Sequence, residues 1–168
     1  MRKVIIMRGL PGSGKSHYVR QLANGHAGET SDTDVQVTVC SADHFFEKPR
    51  THITDMGVYE QPVYDFDPKL LPQAHQACMR AFVQALSEEH PVVVVDNTHV
   101  HRWEYENYVM VARLAGYDVE IVEVMPTTIE ELRLCAERNR HGVPPDVVAR
   151  MVMEFEPDAT ATVIPVKG

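Results

Sequence analysis

An α/β fold, with a parallel sheet, helices on both faces and a short lid, is what this sequence predicts, and three observations predict it. Two apolar runs, Val4-Ile5-Ile6-Met7 and Val92-Val93-Val94-Val95, are continuous rather than alternating, as strands buried on both faces require. Strand-like and helix-like stretches alternate along the chain, which predicts right-handed crossovers and a ligand at the carboxyl ends of the strands. A glycine-rich turn, Gly9-Leu10-Pro11-Gly12-Ser13-Gly14-Lys15-Ser16, joins the first strand to the first helix.

That turn reads as a P-loop. A phosphate cradle needs backbone N–H groups turned inward around an anion, and glycine lets the chain approach that closely. Gly9, Gly12 and Gly14 supply that freedom. Lys15 offers a point charge to the β- and γ-phosphates, Ser16 a hydroxyl to Mg²⁺, and the following helix its positive N-terminal end. A P-loop NTPase/kinase fold is therefore expected. ATP is expected to meet Gly9, Pro11, Gly12, Ser13, Gly14, Lys15, Ser16 and His17.

The first strand covers roughly Lys3 to Arg8, and the first helix Lys15 to Asn24, ending near Gly25 or Gly28. Glu29 to Asp34 is a polar surface connection, and Val35 to Cys40 a second strand leading into Ser41-Ala42-Asp43. From His44 to Phe66 periodicity fails, and Phe45, Phe46, Tyr59, Tyr64 and Phe66 among prolines and glycine suggest an ordered functional loop. Asp67-Pro68 caps a helix whose apolar positions recur from Leu71 to Leu86, ending near His90-Pro91. Val92 to Val95 runs into Asp96-Asn97-Thr98, which sets a carboxylate at a strand's carboxyl end.

Trp103 to Leu114 forms a helix closed by Gly116, and Val119 to Val124 another strand. Thr127 with Glu130 makes a capping box for a helix through Leu132 and Ala136. Arg138-Asn139-Arg140-His141-Gly142-Val143-Pro144-Pro145 is a charged turn before a last helix, Asp146 to about Glu156. Residues 1–156 are thus expected to form the P-loop domain, a kinase domain by the resemblance stated below, and 157–168 a C-terminal tail or edge strand at Thr162 to Val166.

A net charge of −8 speaks against a broad basic face that coats nucleic acid, although a local basic channel is compatible with it. Cys40, Cys78 and Cys135 are widely spaced in apolar segments and read as reduced core thiols. The run after Met1-Arg2-Lys3 is too short for a signal peptide and no stretch reaches membrane-spanning length, so a cytoplasmic protein without a membrane partner is expected. His99-Val100-His101 is the close histidine pair; lacking further ligands, it reads as exposed loop residues rather than a metal site.

These motifs together resemble the polynucleotide-kinase-like branch of P-loop kinases, and especially the ATP-binding kinase module of a family of ubiquitin-ligase-binding proteins and of many phages. The resemblance covers nearly the whole chain. It rests on the P-loop, Ser41-Ala42-Asp43 before aromatics, Tyr64-Asp65-Phe66-Asp67-Pro68 leading to Ala74-His75, Asp96-Asn97-Thr98, Gly116-Tyr117 and Arg138 to Pro144. It implies transfer of the ATP γ-phosphate to a hydroxyl, in the characterised relatives the 5′-hydroxyl of DNA or RNA.

By the same resemblance Asp43 is the base that accepts the hydroxyl proton, and Arg138 and Arg140 are lid arginines that neutralise charge on the transferring group. Asp43 read as a cap for the Phe45-Phe46 turn is the plainer alternative. Asp96 either binds Mg²⁺ through water with Ser16, orients the acceptor, or closes a strand-end turn. The chain departs from the phage enzymes after Asp43, where His44-Phe45-Phe46-Glu47 brings no arginine for a substrate phosphate. Phe45, Phe46 and Tyr59 stack an acceptor base or form a hydrophobic lid. Three functions stay open: a nucleic-acid 5′-hydroxyl kinase, a kinase of a small hydroxylated acceptor, and an ATP-binding switch or adaptor.

Overall fold

The computed structural model describes residues 2–28 and 36–166; the expected connection at Glu29 to Asp34 lies outside the described residues. In chain order come β1 (Lys3–Gly9), α1 (Lys15–Gly28), β2 (Val37–Cys40), a 3₁₀ turn (Ala42–Phe45), β3 (Glu47–Thr54) and β4 (Gly57–Tyr64). A second 3₁₀ turn (Pro68–Leu70), α2 (Leu71–Ser87), β5 (Val92–Asp96), α3 (Trp103–Leu114) and β6 (Asp118–Val124) follow. The chain closes with α4 (Ile129–Glu137), α5 (Pro145–Glu154) and β7 (Thr162–Ile164).

Five strands form one parallel sheet in the order β2-β5-β1-β6-β7, the α/β architecture the sequence predicts. The continuous apolar runs divide by period two between two cores. Val4 and Ile6 of β1, with Val93 and Val95 of β5, pack against Ala74 and Phe82 of α2 and Tyr108 and Ala112 of α3. Ile5 and Met7, with Val92 and Val94, pack on the other face against Val19 of α1 and Cys135 of α4. Burying each large apolar side chain contributes about 1.5–3 kcal/mol, which is why a central strand tolerates no polar face. β1 lies between β5 and β6, so whatever follows β1 emerges at the middle of the sheet's carboxyl edge.

The stretch from His44 to Phe66 corrects the expectation of an irregular loop. Most of it is an antiparallel hairpin, β3 with β4, turning at Asp55-Met56 and paired from Glu47↔Tyr64 to Thr54↔Gly57. Its sequence lacks the one-sided alternation that marks a strand packed on a core, and Pro49 opposite Pro62 argues against strands. An isolated ribbon tolerates both, because each strand keeps an open edge where a missing N–H costs no ladder bond. Phe46, 1% exposed, roots the ribbon in the core with Phe45, Tyr64 and Phe66 around it at ring separations of 5.3, 5.9 and 5.0 Å. Phe46 is thus a core residue and not a platform for a base; the side chain of Tyr59 lies outside the described residues.

Smaller boundaries also move. Asp67 accepts from the Lys69 N–H at 2.9 Å, but it caps the 3₁₀ turn; α2 begins at Leu71 and stops at Ser87. The cap of α4 is Thr128 rather than Thr127: its hydroxyl accepts from the Glu131 N–H at 3.1 Å, and Glu131 reaches back to the Thr127 N–H at 2.6 Å. α5 runs from Pro145 to Glu154. β7 pairs in parallel with the end of β6. Cys40, Cys78 and Cys135 are buried and free, and burial, with Cys78 nearby, pushes the Cys40 thiol up to about 12. Among the described residues no helix is long and apolar enough to cross a membrane.

Candidate active site

The P-loop leaves the sheet at Gly9, whose φ of 144° is open to glycine and whose N–H donates to the Thr98 carbonyl beyond β5 at 2.9 Å. A Cβ at Gly12, φ 75°, would stand 2.0 Å from the Cys135 carbonyl oxygen and 3.1 Å from the Arg138 carbonyl carbon. The loop therefore lies directly against the end of α4, where the lid turn begins.

Inside this cradle the Lys15 ammonium donates to the Gly9 carbonyl at 2.9 Å and the Leu10 carbonyl at 2.8 Å. Lys15 is only 9% exposed, and burial pulls its pKa below the ordinary lysine value while the charges of Asp96 and Asp43 work the other way. An ammonium has three donors, and the third suits an anion. The Ser13 hydroxyl is buried in the same loop without a hydrogen-bond partner among the described residues. A desolvated cation and an orphaned hydroxyl in a glycine turn fit a phosphate chain.

Ser16, in the first turn of α1, donates through Oγ to Asp96 Oδ2 at 3.0 Å, so the two residues expected to share a metal are adjacent. Among the described residues no cluster of three or more His, Cys, Asp or Glu side chains could hold a metal ion. A hydroxyl and one carboxylate are hard oxygen donors that would suit Mg²⁺. Pro11 is buried in the loop, and His17 is exposed, its side chain without hydrogen bond or ion pair among the described residues.

Asp43 stands on the 3₁₀ turn that follows β2. The turn is capped by Ser41, whose hydroxyl accepts from the Asp43 N–H at 3.2 Å, so the capping role belongs to Ser41. Asn97, 9% exposed, ties the turn to the end of β5: its Oδ1 accepts from the Ala42 N–H at 2.9 Å, and its Nδ2 donates to Cys78 Sγ at 3.6 Å. The Asp43 carboxylate, 45% exposed, accepts from the Tyr64 hydroxyl at 2.8 Å and lies 3.7 Å from His141 Nε2.

The lid turn is built by Asn139, which donates to the Val143 carbonyl at 2.7 Å and accepts from the Val143 N–H at 3.2 Å. Arg138 and Arg140 are both exposed, and Arg140 makes no hydrogen bond or ion pair among the described residues. The lid side chain that reaches Asp43 is instead His141, which sequence reasoning passed over because a lone histidine beside two arginines carries no periodic or spacing signal. Tyr64 carries no site signal either, because it lies in a stretch without periodicity, and Asn97 enters the sequence reading only as part of a strand-end motif.

His99 corrects the reading of an exposed loop histidine. It is 3% exposed at φ 44°, its Nδ1 donates to the Met7 carbonyl at 2.9 Å, and its Nε2 is buried without a partner among the described residues. Burial lowers its pKa to about 3, so the ring is neutral and the Nδ1–H tautomer leaves Nε2 an acceptor.

Comparison with known proteins bears on the family and the fold. The chain is 27% identical over 153 residues to human NEDD4-binding protein 2, a match that takes in 91% of this chain and 8% of that protein. A crystal structure of Chaetomium thermophilum Kti12 in complex with ADP-AlF3 has a TM-score of 0.64 at 15% identity, covering 96% of this chain and 88% of the other. A gluconokinase from Sinorhizobium meliloti 1021 has a TM-score of 0.52 at 14% identity, covering 100% and 86%. These likenesses establish the fold of P-loop kinases. Residues 4–158 match the family model described as the AAA domain, and the chain belongs to that family.

Proposed function

We propose that the protein is an ATP-dependent phosphotransferase that moves the γ-phosphate to a hydroxyl, and that the acceptor is the 5′-hydroxyl of DNA or RNA. One observation carries the reading: Asp43, a half-exposed carboxylate, stands on the turn after β2 that Asn97 ties to the end of β5, where Asp96 accepts from Ser16 of the P-loop. A base at one side of the phosphate cradle and a cation within it are what phosphoryl transfer requires, since the protein contributes mainly position and charge.

In this reading Lys15 and the loop N–H groups hold the β- and γ-phosphates, and Ser16 with Asp96 would hold Mg²⁺, which would neutralise phosphate charge. Asp43 takes the acceptor's proton, and the exposed Arg138 and Arg140 are available to the transferring group from the lid. The match to the AAA-domain family model and the fold likeness to Kti12, seen in complex with ADP-AlF3, support nucleotide binding here without naming the acceptor.

A small hydroxylated acceptor is the second reading, favoured by the net charge of −8 and by the fold likeness to a gluconokinase. Transfer of labelled γ-phosphate from ATP to 5′-hydroxyl DNA and RNA oligonucleotides separates them. Label on the oligonucleotide that falls about 10²–10⁴-fold in Asp43→Asn, with ATP binding intact, is the expected result. ATP binding without oligonucleotide labelling would turn the assignment to small acceptors or, if none is labelled, to a switch or adaptor.

A further inference from the structure

Each oxygen of the Asp43 carboxylate faces a side chain from a different excursion, and the two contacts differ in kind. Oδ1 accepts from the Tyr64 hydroxyl at 2.8 Å, whereas Oδ2 lies 3.7 Å from His141 Nε2, beyond hydrogen-bond length. Tyr64 is held firmly. It is the last residue of β4, paired with Glu47, and the next N–H, of Asp65, donates to the Phe46 carbonyl at 2.9 Å. Its ring stacks on Phe66 at 6.2 Å and 4° and meets the buried Phe46 edge-on. Burial first, then the hydrogen bond and charge of Asp43, push the phenol pKa upward, so Tyr64 remains an O–H donor. His141, 40% exposed, only leans on the Tyr64 ring at 4.5 Å.

We infer that Tyr64 is a positioning residue for phosphoryl transfer: it occupies Oδ1, fixes the carboxylate, and leaves Oδ2 as the oxygen that receives the acceptor's proton. The inference rests on the reading of Asp43 as the base. As the acceptor oxygen bonds to the γ-phosphorus, its proton passes to Oδ2. The bond from that phosphorus to the β–γ bridging oxygen breaks, ADP leaves with the electron pair, and the proton on Asp43 is returned to solvent. A carboxylate free to rotate would present either oxygen, and only one position suits in-line attack. The hairpin thereby acquires a role its polar sequence does not announce: it anchors the phenol that aims the base.

The test compares wild type, Asp43→Asn, Tyr64→Phe and the double variant, each as the full chain, with a 5′-hydroxyl DNA oligonucleotide as acceptor. Tyr64→Phe keeps the ring cluster and removes one hydroxyl. It should lower kcat about tenfold, as loss of one charge-assisted hydrogen bond implies, with both KM values within twofold of wild type. In the Asp43→Asn background the same change should have no further effect on the residual rate, since Tyr64 acts through Asp43. If Asp43→Asn is inactive while Tyr64→Phe turns over like wild type, or if Tyr64→Phe costs the same in both backgrounds, the inference is overturned and the kinase reading stands. Full activity in Asp43→Asn sinks both the inference and the reading of Asp43 as the base on which it rests. Should no oligonucleotide be labelled, the same four proteins are compared on ATP hydrolysis, where water takes the acceptor's place and the same outcomes decide.

Discussion

Arg8 and Asp43 are both charged residues near the carboxyl edge of the sheet, and the protein treats them in opposite ways. Arg8 is fully buried, and its guanidinium donates to the His99 carbonyl at 3.0 Å, Glu123 Oε2 at 3.1 Å, the Val100 carbonyl at 3.3 Å and the Glu156 carbonyl at 2.7 Å. The Tyr105 and Phe155 rings cover its two sides at 4.6 Å each. Asp43 is half exposed, with one firm hydrogen bond and one loose contact. A buried charge survives only when it is paired and hydrogen-bonded; four of the five guanidinium N–H groups are engaged, and the rings and backbone around Arg8 leave little room for a ligand. Arg8 ties the chain beyond α5 to β1 and β6; Asp43 keeps capacity in reserve.

The contrast is broken or sharpened most directly by stability. Arg8→Met should cost about 3–5 kcal/mol in urea unfolding, because it strands Glu123, 4% exposed, without its cation. Adding Glu123→Leu should recover much of that loss. Asp43→Asn, in contrast, should unfold within about 0.5 kcal/mol of wild type, as half-exposed substitutions do. Equal losses at the two sites would erase the distinction between structural and functional charge.

The buried side should also announce itself in acid. His99 belongs to the Arg8 network, and its pKa of about 3 lies below the 6.5 of a free histidine. The unfolded chain therefore binds a proton that the folded one refuses, so the stabilisation present above pH 6.5 is lost as pH falls toward 3. The urea midpoint should decline across that window, at up to about 1.4 kcal/mol per pH unit from this group. His99→Asn, whose side chain tolerates the left-handed backbone at φ 44°, should flatten the decline. A midpoint indifferent to this substitution contradicts the assignment.

The smallest effect belongs to His141. An exposed contact of 3.7 Å is worth under about 1 kcal/mol, so His141→Ala should change the acceptor KM by less than about fivefold. A change of a hundredfold would mean that the lid histidine binds the acceptor itself.

By itself the sequence determined the strands of the sheet's centre, most helices and the phosphate cradle. Each of these is written in neighbouring residues. Val92 to Val95 declare a doubly buried strand, and Gly9 to Ser16 build an anion site from contiguous backbone. The pairing of Ser16 with Asp96 follows almost as directly, because both sit where the sheet's carboxyl edge must place them. The hairpin was illegible, since a ribbon open on both edges needs neither an apolar stripe nor the exclusion of proline. The partners of Asp43 and of Arg8 were decided by tertiary structure alone. Tyr64, His141, Glu123 and Glu156 arrive from separate elements, and no local period or turn rule encodes a contact made only when distant segments are packed together.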